Sequence, residues 1–334
     1  MHTPPLPPFR AALALLLAGL LAACGAVQPA APAPSDSPAT AAAPAPATVA
    51  TQPEAKSISG EPLMPLDFPP AERARLEANL KAAEAELAKH PESADALIWV
   101  GRRQGYLSQY RNAIATFTKG IDAFPTDPRF YRHRGHRYIT VRDFAGAIAD
   151  FEQAVSLIAG KPDEIEPDGA PNAAGKPRSS LHFNVFYHLG LAYYLKGDYA
   201  NASRAYEACM KVSTNDDAVT ATSDWQWMTH MRMGNKAAAT KVLERITPKM
   251  DILENASYHK RLLMYKGLEK PEALLDTANA DDLTIATQGY GVGNYYLVTG
   301  DRERAKAIFD RVMAGKQWSA FGYIAAEVDR SRME

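Results

Sequence analysis

A recurrence of residue character at a spacing of 34 limits this chain more than any other feature. Leu97 and Tyr131, Gly101 and Gly135, Tyr110 and Phe144, Ala113 and Ala147, Phe117 and Phe151, and Gly120 and Ala154 all obey it. The set returns 55 residues further on as Gly190, Tyr193, Tyr199, Ala202, Tyr206 and Cys209. Because 55 exceeds 34 by 21, an insertion is expected between the second and third units. After a further 103 residues, close to three periods, the set returns as Gly293, Tyr296, Ala305 and Phe309. A fixed period of this length marks an array in which each unit buries its apolar face on the next.

Within a unit the apolar residues lie three and four apart, the spacing of a helical face. Turn residues such as Lys196-Gly197-Asp198-Tyr199 and Thr299-Gly300-Asp301 divide each unit into two helices. The small residue in each helix lets the two backbones approach, and the aromatics fill the space beside that contact. Pro125 marks the end of the first unit, where the chain must leave the helix.

This pattern resembles the tetratricopeptide repeat, which has bulky, small and aromatic positions in its first helix and small, aromatic and small positions in its second. The resemblance implies an all-α fold, a right-handed α-solenoid of helix-turn-helix repeats. Repeats are expected near 94–127, 128–161, 183–216 and 286–319, with degenerate repeats over 217–285. Residues 70–90, with Leu76, Leu80, Ala83 and Leu87 on one face, resemble a capping helix, and Phe321-Gly322-Tyr323-Ile324 the cap at the other end. The resemblance also implies a concave surface, lined by the first helices, that suits a protein or peptide segment.

The N-terminus reads as an address. Arg10 precedes an apolar run over 11–23, too short to span a bilayer, that ends in Leu21-Ala22-Ala23-Cys24-Gly25. That ending resembles the lipobox of bacterial lipoproteins, so residues 1–23 are expected to be a signal peptide and Cys24 the lipidated residue; an ordinary signal peptide cut near Ala23 is the alternative. Residues 24–60 are rich in alanine and proline with few large apolar side chains, which predicts a disordered tether holding the 61–334 solenoid off the membrane. Gly25 and Ala26, with no aspartate after the cysteine, favour the outer membrane by resemblance to enterobacterial sorting.

The first helix of the second repeat carries a basic run. Arg129, Arg132 and His136 fall on one helical face, which the repeat pattern turns to the concave side; Arg102 should stand beside them, and Tyr187, Leu191 and Tyr194 on the equivalent face of the third repeat. Arginines beside aromatics suit a carboxylate, a phosphate or an acidic peptide. The other reading is a solvated helix whose arginines pair with acids on neighbouring repeats. Some family members grip a partner's terminal carboxylate with lysine and asparagine. Ile98, Arg102, His133, Tyr187 and Leu191 stand in those places here, and only Arg102 is similar, so such a clamp is not expected. The insertion, roughly 160–182, carries Asp163, Glu164, Glu166 and Asp168. It either folds over the groove as a self-inhibiting plug or runs free over the surface.

Lys+Arg 37 against Asp+Glu 38 leaves a net charge of -1, which argues against nucleic acid or any general polyanion as a partner. Two cysteines cannot build a disulfide framework or a four-thiolate zinc site, and Cys209, in a small-residue position, should be a buried free thiol. Met228, His230, Met231 and Met233 hint at copper, but with Trp225 and Trp227 they also read as the apolar face of a helix. His133 and His136, one turn apart, have no local third ligand. No metal or cofactor is expected, and with no nucleophile elbow or phosphate loop in the chain, no catalysis. The sequence therefore predicts a lipid-anchored scaffold or adaptor that binds an envelope protein or peptide segment through its concave face. A binder of an anionic small ligand or cell-wall glycan on the Arg102–Tyr194 face is the alternative.

Overall fold

A computed structural model of the chain describes residues 52–275 and 281–333. The signal segment, Cys24 and most of the tether lie outside the described residues. Two short strands, β1 (Ala55–Lys56) and β2 (Pro62–Leu63), pair antiparallel. Helix α1 (Pro70–Lys89) follows, and then helical hairpins: α2 (Ala94–Tyr106) with α3 (Tyr110–Ala123), α4 (Pro128–Thr140) with α5 (Phe144–Ile158), and α6 (Leu181–Lys196) with α7 (Tyr199–Val212). The next are α8 (Asp216–Arg232) with α9 (Lys236–Leu243), α10 (Ala256–Tyr265) with the short α11 (Pro271–Leu275), and α12 (Asp282–Thr299) with α13 (Arg302–Met313). Helix α14 (Phe321–Ser331) closes the chain. Each hairpin packs on its successor, α3 on α4, α5 on α6 and α7 on α8, so the fold is an all-α solenoid.

One contact explains the period. In each of the four regular units a glycine of the first helix lies against an aromatic ring of the second. A Cβ added at Gly101 would lie 2.5 Å from the Phe117 ring, at Gly135 3.0 Å from Phe151, at Gly190 2.7 Å from Tyr206 and at Gly293 2.5 Å from Phe309. All four rings are buried. At Gly101, Gly190 and Gly293 a Cβ would overlap the ring, and at Gly135 the ring would have to give by a few tenths of an ångström, so packing favours a mid-helix glycine that is normally unfavourable by about 1 kcal/mol.

The turns inside the hairpins share a second device. Asp143, Asp198 and Asp301 cap the following helix through the N–H groups of Gly146, Asn201 and Arg304. The residue before the cap is left-handed, Gly197 at φ 88° and Gly300 at φ 102°. In the first two hairpins the corresponding left-handed residues are Ser108 at φ 62° and Arg142 at φ 70°, a conformation that costs a non-glycine residue about 1–2 kcal/mol. Their side chains account for the choice. Ser108 Oγ accepts the Leu66 N–H at 3.0 Å, while Arg142 pairs with Glu327 at 2.7 Å and donates to the Trp318 carbonyl at 2.9 Å.

Both anchors serve segments that cross the array. Part of the expected tether is ordered: Glu54 accepts the Arg111 N–H and Glu327 accepts the Ile58 N–H, and just beyond the tether Leu63 is buried and the Trp318 indole donates to the Met64 carbonyl. These contacts compensate for ordering residues 52–60, whose composition alone suggested disorder. Helix α14 packs on α12 and α13 as a closing helix, with Gly322 set against the Ala286 carbonyl. Its other side meets earlier units: Glu327 reaches Arg142, Asp329 pairs with Arg232, Arg332 donates to the Leu195 carbonyl, and the Phe321 ring lies 5.2 Å from His136. The array therefore curves tightly enough for its last helix to touch its second and third hairpins.

Gly190→Ala tests the shared contact. The methyl would meet a fully buried ring that cannot swing away, so overpacking of about 1–3 kcal/mol should outweigh the gain in helix propensity. Urea unfolding should show a lower midpoint than for the native chain, and a higher one would contradict the packing account.

Candidate functional site

The facing sides of α2 and α4 gather four guanidinium groups, those of Arg102, Arg103, Arg132 and Arg137. Helix α2 contributes Trp99, Arg102, Arg103 and Tyr106; the guanidinium carbons of Arg102 and Arg103 lie 4.3 and 4.8 Å from the Trp99 ring centroid. Helix α4 contributes Arg132, His133, His136 and Arg137. Between the helices is a cavity of about 110 Å³ lined by Arg102, Tyr106 and these four α4 residues, among others. A second, of about 230 Å³, continues along Trp99 and Ile98 toward Arg129. Arg137 stands at the Tyr110 ring, 5.5 Å from its centroid, and meets no carboxylate among the described residues.

The imidazoles here add no charge. Burial and then the guanidinium of Arg132 push His133 well below its ordinary value. Burial followed by Arg137 does the same to His136, and burial followed by Arg132 takes His188 down to about 3. Geometry agrees for His133, whose Nδ1 lies 3.1 Å from Arg132 Nη1. Arginine can only donate, so this nitrogen accepts and the ring is neutral. Arg102, Arg132 and Arg137 thus face a cavity of about 110 Å³ lined by neutral rings, an arrangement that attracts a carboxylate or phosphate.

The structure brings together only part of the sequence-predicted face. Arg102, Arg132 and His136 line the first cavity. Arg129 does not act with them; its guanidinium is held by its own helix cap, Asp127, at 2.6 Å, and by Asp95 of the preceding repeat. The two tyrosines belong to the core. Tyr187 is 5% exposed and its hydroxyl accepts from the Trp225 indole, while Tyr194 is 1% exposed with its hydroxyl on Tyr290 and Asn294. The reason is curvature, because α8 and α12 close over the positions that a more open solenoid would leave facing a ligand. Met228, from the sequence's methionine cluster, is fully buried with its sulfur accepting from Arg261. Cys209 is a buried free thiol.

Sequence reasoning missed Trp99, Arg103, Tyr106 and Arg137. The signal was present, since Arg137 stands 34 residues after Arg103, as His136 does after Arg102. The basic run has the spacing of a single helix, whereas the site is built across two helices at the repeat spacing.

The insertion lies over this face. An isolated antiparallel bridge joins Ile165 to Ser180, so residues 166–179 leave and re-enter the array at one place. Glu166 pairs with Arg132 at 2.8 Å, Arg102 donates to the Pro167 carbonyl at 2.9 Å, and Arg103 donates to the Gly169 carbonyl at 3.0 Å. A Cβ at Gly169 would fall 2.1 Å from the Tyr106 hydroxyl, so a bare backbone fits that spot. The returning leg is held by Arg178 on Asp251 at 2.7 Å and by Asn215 on the Arg178 carbonyl.

Comparison with known proteins gives one family match: residues 183–216, spanning α6 and α7, fit the tetratricopeptide repeat model. No curated protein matches the chain in sequence. Among solved structures, YrrB, described as a TPR protein with an unusual peptide-binding site, is 15% identical, with 71% of this chain and 93% of that one covered and a TM-score of 0.41. A tetratricopeptide repeat protein of Parabacteroides merdae is 14% identical over 78% of this chain and 94% of that one, with a TM-score of 0.46. PilF of Pseudomonas aeruginosa is 12% identical over 66% and 90%, with a TM-score of 0.40.

The neutral imidazoles give the site a pH dependence of known sign. An unfolded histidine titrates near 6.5, so below that pH the unfolded chain binds more protons than the folded one. The stability that goes with neutral His133, His136 and His188 is complete above 6.5 and is lost as the pH falls toward the folded values, at up to about 1.4 kcal/mol per pH unit per ring. Asp224, lifted to about 7 by burial against the pull of Arg261, works in the opposite sense below that pH. Ring-proton NMR separates the two. The three imidazoles should hold neutral-form shifts from pH 8 to 5, and an ordinary titration near 6.5 in any of them would contradict the site's geometry.

Proposed function

We propose that this chain, whose residues 183–216 match the tetratricopeptide repeat, is a repeat scaffold that holds an acidic, extended segment of a protein partner in the groove between α2 and α4. The observation that carries the reading is the arginine excess of that groove: of Arg102, Arg103, Arg132 and Arg137, only Arg132 has an ion pair among the described residues, with Glu166, while Arg102 and Arg103 donate to main-chain carbonyls. Trp99 and Tyr106 add aromatic walls on which a chain can lie. The lipobox-like Cys24 and the alanine- and proline-rich segment after it support the further proposal of a lipid-anchored protein of the bacterial envelope, outer membrane facing the periplasm, whose partner is an envelope protein. Binding, not bond-making, is the work these groups suit.

One observation favours the second reading, an anionic small ligand or acidic glycan. Arg137 faces a cavity of about 110 Å³, large enough for one carboxylate or phosphate group. Titration calorimetry with inorganic phosphate and with acidic cell-wall fragments addresses it, since saturable heat abolished by Arg137→Gln would favour the small ligand.

Crosslinking capture from native membranes tests the scaffold. Arg102→Glu with Arg103→Glu reverses charge at two partly exposed positions without opening the core. The native chain should retain a defined envelope protein and the charge-reversed chain should retain at least about tenfold less, a loss of about 1.4 kcal/mol. Equal retention would remove the groove from the proposal. Cys24→Ser should move the chain from the membrane pellet to the soluble fraction, and a chain that stayed with the membrane would remove the lipid anchor.

A further inference from the structure

The way the insertion sits on the groove has more in common with a bound ligand than with a structural brace. Residues 165–168 form no helix or turn and Gly169 begins a bend, with the carboxylate of Glu166 on Arg132, the Pro167 carbonyl on Arg102 and the Gly169 carbonyl on Arg103. One acidic side chain and two main-chain carbonyls are read by three guanidinium groups, a reading open to any extended peptide with an acid at that place. We infer that this segment is a tethered occupant of the partner groove: its Ile-Glu-Pro-Asp-Gly sequence stands in for the partner's, and a partner must displace it to bind.

The fit is incomplete in a way that suits displacement. Glu166 Oε1 and Arg132 Nε are both buried and have no hydrogen-bond partner among the described residues. A ligand carboxylate free of the loop's geometry could engage Arg132 through two parallel bonds, as the guanidinium fork prefers. Arg137, deeper in the cavity, is left without an acid by the loop and is open to a second one. The segment also buries little apolar surface, for Ile165 is 59% exposed and Pro167 is exposed as well. Few apolar contacts and a polar grip mark the parts of a fold that open most easily. The bridge between Ile165 and Ser180 keeps the exit and entry points together, so the excursion can leave the groove without unravelling α5 or α6.

This inference rests on the groove being the binding face, and its test can fail separately from that reading. The probe is a synthetic acetylated and amidated peptide, Ile-Glu-Pro-Asp-Gly-Ala, carrying a fluorophore and titrated by anisotropy. The proteins are the intact chain, a form in which residues 166–179 are replaced by a short Gly-Asn turn, and full-length Glu166→Gln. A tethered occupant lowers apparent affinity by the fraction of molecules in which the groove is open. The peptide should therefore bind the shortened form about tenfold or more tighter than the intact chain, and binding should be lost when its own glutamate becomes glutamine. If the shortened form does not keep the native helix content, Glu166→Gln carries the test alone, and it too should bind the peptide more tightly than the intact chain. Equal affinity for all three proteins, or no binding to an open and folded groove, overturns the inference. A captured envelope partner that depends on Arg102 and Arg103 but binds the intact and shortened forms alike would leave the scaffold standing and remove the tethered occupant.

Discussion

The contact between a first-helix glycine and a second-helix aromatic ring is what the rest of the structure depends on. It is made by Gly101 and Phe117, Gly135 and Phe151, Gly190 and Tyr206, and Gly293 and Phe309, each pair separated by 16 residues. With the two backbones that close, the hairpin has one stable register, and the side chains on its outer faces are set at fixed heights. The stacking of hairpins then places Arg102 and Arg103 of one repeat across from Arg132 and Arg137 of the next. The chemistry of the groove is thus a consequence of packing several ångströms beneath it.

Simple repeat arrays owe their stability to neighbours alone. This chain departs from that rule at both ends. The hairpin of β1 and β2 and the inward side of α14 meet across the turns of the first two repeats, through Ser108, Arg142, Trp318 and Glu327. Two residues in left-handed conformations are retained there because their side chains make those ties. The ties hold the array in a tight curve, which in turn buries Tyr187 and Tyr194 and confines the open part of the concave face to α2 and α4. Closure and a small, charged groove are two results of one geometry.

The hairpins of the fold were legible in the sequence because glycine, alanine and aromatic positions repeat at 34, a signal that needs no tertiary knowledge. The site was legible only in part. Arg102, Arg132 and His136 could be placed from helical spacing, but spacing on one helix says nothing of what faces it. Arg129 was lost to Asp127 and Asp95, acids that lie outside its own helical face. Tyr187 and Tyr194 were lost to curvature, which depends on contacts between residues more than a hundred positions apart, such as Arg142 with Glu327. The insertion's acids suggested a plug, yet only coordinates distinguish Glu166, which reaches an arginine of the groove, from Asp163, which is spent on the Ser180 hydroxyl and the His182 N–H of the α6 entry.

The claim that joins these observations is that the groove is filled by the chain's own acidic segment and emptied by a partner. A distance between spin labels at Ala170, in the segment, and Asp122, exposed on α3, tests it most directly. In the free protein the account predicts one narrow distribution, which broadens and shifts when an acidic proline-containing peptide saturates the groove. A distribution already broad in the free protein, or one that saturating peptide leaves unchanged, would contradict it.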